Sequence, residues 1–365
     1  MSRTCLAARE SLRWRSPSLL ALGGIALLTA QLAWSQTAAT GDTPAPAQAR
    51  EVRTWLTRIH EAASRHNFQG TFIVSSGGTA ASARIAHYCE GPNQFERSET
   101  LDGQQRLVYR HNDTVHTVWP SGKLVLIEQR SLTTSFPALL QAGDDHIADF
   151  YEVRSQGVER VAGRAANVLS VRPKDGLRYG YRLWADQASG LLLRADTIGE
   201  RNEVLESSAF SEVAVDVKAQ PDSVLGPMKK LDGYRVSRPA MTPTRLDAEG
   251  WLLRQPAPGF KEVSCVRRPM NAAPNITPAP ATAPAPAPGG SDRQVLQAIY
   301  SDGLTYVSVF IEPFNAQRHT RPLLASVGPM QTLMQQQGDW WITVVGEVPA
   351  ATLRIFAKAL ERIQR

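Results

Sequence analysis

The sequence predicts a mostly antiparallel α+β protein: a large curved sheet wrapped on one helix, then a smaller sheet closed by a C-terminal helix. Three observations predict it. One amphipathic helical pattern, Val52 to Ala63, is followed by a long series of short alternating runs. Asp-Gly, Asn-Asp and Ser-Gly pairs punctuate those runs, and turns of that kind join antiparallel neighbours. Over residues 218–245 periodicity fades, Pro enters, and a second, shorter series of runs begins.

The 365 residues suit two domains, and an apolar content of 42% is enough for a sizeable core. Arg9, Arg13 and Arg15 precede an apolar stretch, Leu19–Leu32, and small residues follow at Ala33, Ser35, Ala38 and Ala39. That is the pattern of a cleaved export signal over 1–35. The alternative, a membrane anchor, needs about 20 apolar residues, and Gly23 and Gly24 interrupt this shorter run. The formal charge is +6. Removing the signal leaves about +3, too mild to argue for nucleic acid.

Residues 36–49 are small and polar and read as a disordered lead. Val52, Trp55, Leu56, Ile59, Ala62 and Ala63 then recur at helical spacing, and Asn67 and Gly70 are stop signals. Strands are expected over 71–75, 83–89, 94–100, 106–110, 114–119 and 124–129. A short helical or irregular passage covers 136–151. Further strands are expected over 157–160, 165–172, 179–185, 191–197, 204–210 and 212–217. So many strands around one helix suggest a half-open barrel spanning 50–217, which manages its edges by curvature. Residues 218–245 read as an interdomain connection. The second domain, 246–365, shows strands at 259–267, 296–300, 304–311 and 340–345. Asp302-Gly303 forms a hairpin turn, and a helix is expected over 350–363. The Pro/Ala tract 269–290 is flanked by pieces too short for separate cores and reads as a loop inserted into one sheet.

Little here suggests catalysis. The seven histidines have no metal-site spacing. No nucleophile elbow, phosphate loop or dinucleotide fingerprint is present. His87 and Cys89 alternate on one strand. They could be a Cys–His nucleophile pair, but a structural pair on a half-buried sheet is the plainer reading. No metal, cofactor or catalytic residue is expected. Past the signal, Cys89 and Cys265 are the two remaining cysteines. An exported chain could bridge them, or they could be two separate buried thiols.

The stretch Arg178–Trp184 is more informative. On a strand Tyr179, Tyr181 and Leu183 share one face, and Arg178, Arg182 and Trp184 share the other. A core face and an exposed face explain most of this. The functional reading is a concave sheet whose apolar interior accepts acyl chains or a peptide. Phe72, Val74, Val115, Trp119 and Leu126 join Tyr179, Tyr181 and Leu183 as its candidate lining. Arg178, Arg182 and Trp184 are candidate rim or partner contacts for anionic groups.

These residues also resemble a known family. Asn67-Phe-Gln-Gly-Thr-Phe72, Glu96-Arg97, Leu101-Asp-Gly103 and Arg160-Val-Ala-Gly-Arg164 are similar to the N-terminal domain of the MucB/RseB family. So are Arg178–Trp184 and Gly190-Leu-Leu-Leu-Arg194. Ser301-Asp-Gly-Leu304, Ser308-Val-Phe-Ile-Glu312 and Val345-Gly-Glu-Val-Pro349 resemble its C-terminal domain. The resemblance spans nearly the whole chain past the signal. It implies a periplasmic negative regulator of the envelope-stress sigma factor. Such a protein binds the periplasmic part of an RseA/MucA-like anti-sigma factor and shields it from regulated proteolysis. The larger domain would resemble the LolA/LolB lipoprotein carriers, and lipid or lipopolysaccharide bound there would release the partner. The smaller domain would supply much of the anti-sigma contact. A homodimer is left open. The Pro/Ala tract is longer than the family leads one to expect. The competing reading is a plain lipid or lipoprotein carrier that needs only the larger domain.

Overall fold

The computed structural model describes residues 45–129, 147–269 and 294–363. The export signal, most of the lead before the helix, residues 136–146 of the expected helical or irregular passage and nearly all of the Pro/Ala tract lie outside the described residues.

Helix α1 (Ala45–Arg65) begins inside the stretch expected to be disordered. Ala47, Gln48 and Ala49 are strong helix formers, which lets the helical backbone start earlier than the apolar spacing suggests. Val52, Leu56, Ile59 and Ala62 are buried along one side, as the spacing requires. The stop residue Asn67 accepts the Cys89 amide at 2.8 Å, which ties the helix end to the sheet.

Next come β1 (Phe68–Ser76), β2 (Thr79–Glu90), β3 (Asn93–Thr100), β4 (Leu107–His111), β5 (Thr114–Trp119) and β6 (Leu124–Gln129). A short helix α2 (Ile147–Phe150) leads into β7 (Tyr151–Val161), β8 (Arg164–Pro173), β9 (Gly180–Asp186), β10 (Leu192–Ile198) and β11 (Val204–Val215). The runs 204–210 and 212–217, expected as separate strands, form one strand. Between the pairs Thr71↔Glu212 and Phe72↔Phe210 the residue Ser211 drops out of register. Such a bulge bends a strand without ending it.

The stretch 218–245 carries α3 (Asp222–Lys229), β12 (Arg235–Ser237) and β13 (Thr242–Pro243). It is more than a tether. Val224, Leu225 and Met228 join Tyr88, Phe95, Tyr109 and Val118 in one apolar cluster. β12 runs parallel to β6 and extends the larger sheet.

The remainder holds β14 (Trp251–Leu253), β15 (Lys261–Pro269), β16 (Gln294–Ser301), β17 (Tyr306–Pro313), β18 (Leu323–Val327), β19 (Met330–Gln337), β20 (Trp340–Gly346), α4 (Ala350–Ala359) and β21 (Leu360–Arg362). The last helix stops earlier than its apolar spacing suggests. Leu360–Arg362 instead pairs with Trp251–Leu253. β18 and β19 are absent from the expected strands, because a run such as Met-Gln-Thr-Leu-Met-Gln-Gln-Gln lacks clean alternation.

Among the described residues the larger sheet has twelve strands in the order β12-β6-β5-β4-β3-β2-β1-β11-β10-β9-β8-β7, and the smaller has seven, β13-β15-β16-β17-β20-β19-β18. β7 returns beside β11, although three strands separate them in the sheet, so the larger sheet curls strongly. The core of the smaller sheet gathers Trp251, Phe260, Val307, Ile342 and Phe356. The described residues belong to one compact unit that contains both sheets. Among the described residues no helix is long and apolar enough to cross a membrane.

Candidate functional site

Directly opposed residues in antiparallel strands share a face. Leu183 opposes Ala195, Ala195 opposes Ser208, and Ser208 opposes Val74. A second row runs Phe68, His87, Glu96, Arg110, Val115, Glu128. The register therefore sets Phe72, Val74, Val115, Trp119, Leu126, Tyr181 and Leu183 on one face of the larger sheet.

They do not form one lining. Tyr181 and Leu183 sit in a cluster with Val52, Leu56 and Ile59 of α1. Phe72 and Val74 join Phe210, Leu191, Leu193 and Trp184. Trp119 and Leu126 form a third group with Leu124. Val115 is buried outside all three. Tyr179 lies just before β9, where its hydroxyl accepts a hydrogen bond from Gln331 of β19 at 3.4 Å.

The candidate rim needs correction. Arg178 was expected at an exposed edge, yet its side chain is 0% exposed and bonds Asp302 of the smaller sheet through Nε at 2.7 Å. Its other nitrogens bond Asp175 and the Pro258 carbonyl. The guanidinium also lies 4.3 Å from the Phe150 ring and 5.1 Å from the Phe260 ring. A buried guanidinium needs this many partners to offset its lost hydration. Trp184 is buried too, donating to Glu159 at 2.8 Å with the Arg194 guanidinium 4.4 Å above its ring. Of the three rim candidates only Arg182 keeps partial exposure.

Asp302 is the centre of the contact between the sheets. One carboxylate oxygen accepts from Arg178 and from the Tyr151 hydroxyl at 2.9 Å. The other accepts the amides of Leu304 and Thr305, at 3.0 and 2.9 Å, and so fixes its own hairpin turn. Thr352 of α4 donates to the Leu177 carbonyl at 2.7 Å. Arg268 of β15 lies 3.7 Å from Glu128 of β6, with both side chains buried. Sequence reading placed Arg178 and Asp302 in separate motifs. Only the fold brings them together.

The second row is charged where an apolar interior was expected. His87 Nδ1 lies 3.2 Å from Glu96, and Glu96 lies 3.6 Å from Arg110. Burial alone would lower the His87 pKa, but its bonds to Cys89 and Glu96 outweigh that and raise it to about 9. Cys89 and Cys265 are free thiols and not a bridge. Cys89 is on β2 of the larger sheet, and Cys265 is turned into the core of the smaller one. Among the described residues no group of three or more His, Cys, Asp or Glu side chains could hold a metal ion.

Comparison with known proteins adds to this geometry. Residues 51–228 match the MucB/RseB N-terminal domain, and residues 245–361 match the MucB/RseB C-terminal domain. The chain is 30% identical over 318 residues to the sigma factor AlgU regulatory protein MucB of Pseudomonas aeruginosa, covering 84% of this chain and 89% of that one. It is 24% identical over 312 residues to the sigma-E factor regulatory protein RseB of Escherichia coli, with the same coverage of 84% and 89%. A crystal structure of MucB in complex with MucA(peri) superposes with a TM-score of 0.61 at 26% identity, covering 86% of this chain and 99% of that one. The Pseudomonas aeruginosa MucA/MucB complex gives a TM-score of 0.63 at 26% identity, covering 86% and 100%.

Proposed function

The chain belongs to the MucB/RseB family, and on that premise we propose that it binds the periplasmic part of a MucA/RseA-like anti-sigma factor and so restrains a sigma factor. The observation that carries this reading is the match of both domains, in order, to a relative solved in complex with MucA(peri). The proposal extends to export into the periplasm, to shielding of the partner from proteolysis, and to binding without catalysis.

Sensing of lipid or lipopolysaccharide belongs to the same proposal. A ligand releases a partner only if it binds the partner-free state more tightly. The face carrying Tyr181 and Leu183 is apolar, but α1 side chains already cover it. An acyl chain entering there has to displace Val52, Leu56 or Ile59. A hinge between the sheets is a costlier route, because it breaks the buried Arg178–Asp302 pair. A carrier that needed only the larger sheet would have no use for that pair, which favours the regulator reading.

Titration calorimetry of the purified chain with the periplasmic part of its organism's anti-sigma factor tests the proposal. Saturable binding with Kd of about 1 μM or tighter is expected. An absence of binding overturns the reading. Repeating the titration with lipopolysaccharide fragments tests the sensing half, and unchanged affinity removes it.

A further inference from the structure

His87 and Cys89, two apart on β2, share a face, and Glu96 on β3 opposes His87 directly. The three form a chain of contacts. Cys89 Sγ lies 3.1 Å from His87 Nε2, and His87 Nδ1 lies 3.2 Å from Glu96. Arg110 stands behind that carboxylate at 3.6 Å. The Phe68 ring stacks on the imidazole, with centroids 5.2 Å apart, and fixes its plane. The thiol donates to the Ser64 carbonyl in the last turn of α1 at 2.8 Å. A thiol, an imidazole and an orienting carboxylate in this order are the parts of an activated sulfur nucleophile.

We infer that Cys89, held by His87 and Glu96, is a redox-modification site for small hydroperoxides. Access selects the class of reagent. His87 is 5% exposed and Cys89 is half-buried under α1. A two-oxygen oxidant reaches the sulfur where a peptide or acyl substrate does not. In the step, Cys89 gives its thiol proton to water and the sulfur attacks one peroxide oxygen. The S–O bond forms as the O–O bond breaks, and the sulfur is oxidised by two electrons while the peroxide is reduced. The departing hydroxide takes the Nε2 proton of His87 and leaves as water, and His87 recovers a proton from solvent. The product is a sulfenic acid. Its donor is an O–H one bond further out than the S–H that the Ser64 carbonyl accepts, so oxidation shifts the contact at the foot of α1. Among the described residues the other cysteine is Cys265, whose thiol burial pushes up to about 12, and it serves as an internal control.

The test treats the full chain with hydrogen peroxide, traps sulfenic acid with dimedone and reads the labelled peptides by mass spectrometry. Cys89 is expected to react about tenfold faster than glutathione in the same solution, with Cys265 unlabelled. Oxidation of Cys89 no faster than glutathione overturns the inference. His87→Gln and Glu96→Gln are expected to lower the peroxide rate relative to the iodoacetamide rate, because alkylation expels iodide and needs no proton. Circular dichroism accompanies both variants. A folded Glu96→Gln with an unchanged ratio of the two rates also overturns the inference, whatever becomes of His87→Gln.

Discussion

The guanidinium of Arg178 and the carboxylate of Asp302 meet at 2.7 Å across the two sheets, and neither side chain has any solvent exposure. The pair is a buried charge contact whose partners come from different modules. Asp302→Ala takes away one of the two carboxylates that face Arg178, leaving only Asp175 and the Pro258 carbonyl, and it also removes the acceptor of the Tyr151 hydroxyl and of the hairpin amides. A loss of about 3–5 kcal/mol is expected in urea unfolding. Asp302→Asn keeps an acceptor and is expected to cost less. An Asp302→Ala midpoint equal to that of the unaltered chain would show that this contact does not hold the sheets together.

Gly259 backs the same contact. Its φ is +85°, and an added Cβ would come within 2.5 Å of Phe150 and 2.7 Å of Arg178 Nη2. Gly259→Ala combines a strained backbone with a push on the buried guanidinium. It is expected to destabilise by about 2 kcal/mol or more. Thermal unfolding of the variant reads this directly, and an unshifted midpoint contradicts it.

Burial, with the Glu206 carboxylate nearby, pushes the Glu347 carboxyl up from 4.5 to about 7. The folded chain therefore holds a proton that the unfolded chain has lost. Stability from this group is greatest below pH 4.5 and falls as pH rises to about 7. Glu347→Gln removes that slope. It is expected to gain about 1–2 kcal/mol at pH 8, discounted for the partial exposure of the residue. Urea midpoints at acid and neutral pH compare the two chains; parallel pH profiles would exclude this role.

His87 works over a higher window. Its folded pKa, about 9, lies above its ordinary 6.5. Its contribution is complete below pH 6.5 and is lost as pH rises through about 9. NMR of the imidazole nitrogens is expected to show a charged ring at pH 7.5, and Glu96→Gln is expected to bring its titration down. A neutral ring at pH 7.5 in the unaltered chain would contradict the geometry.

Ile59 is fully buried on the covered face of α1, in the cluster that includes Leu183. Ile59→Ala is expected to cost about 2–5 kcal/mol through the cavity it leaves. If an acyl ligand displaces this helix, the same substitution strengthens ligand binding while weakening the fold. Tighter lipid binding in the variant, measured by fluorescence of a labelled lipopolysaccharide, would show that coupling. Parallel loss of both would argue that the ligand binds elsewhere.

Much of the fold was legible because alternation and turn chemistry are local. Asp302-Gly303 marked a hairpin correctly, and β5 and β6 begin and end where the alternation does. α4 ends at Ala359, short of the expected 350–363, for an equally local reason. Leu353, Phe356 and Leu360 keep helical spacing, yet Leu360 finds a better partner in Leu253 of β14. The candidate lining was half legible. Strand parity put its residues on one face, but it could not say that α1 covers Tyr181 while Trp184 joins Phe72.

By itself the chain determined most of its elements, their mostly antiparallel character and, through scattered motifs, its family. Those are properties of neighbours along the backbone, where side-chain periodicity acts. Tertiary structure alone decided that Arg178 faces Asp302 and that His87, Cys89 and Glu96 line up beneath a helix end. Arg178 and Asp302 stand 124 positions apart. What joins them is the balance between burying a charge and satisfying it, and that balance is set only once both sheets have closed on each other.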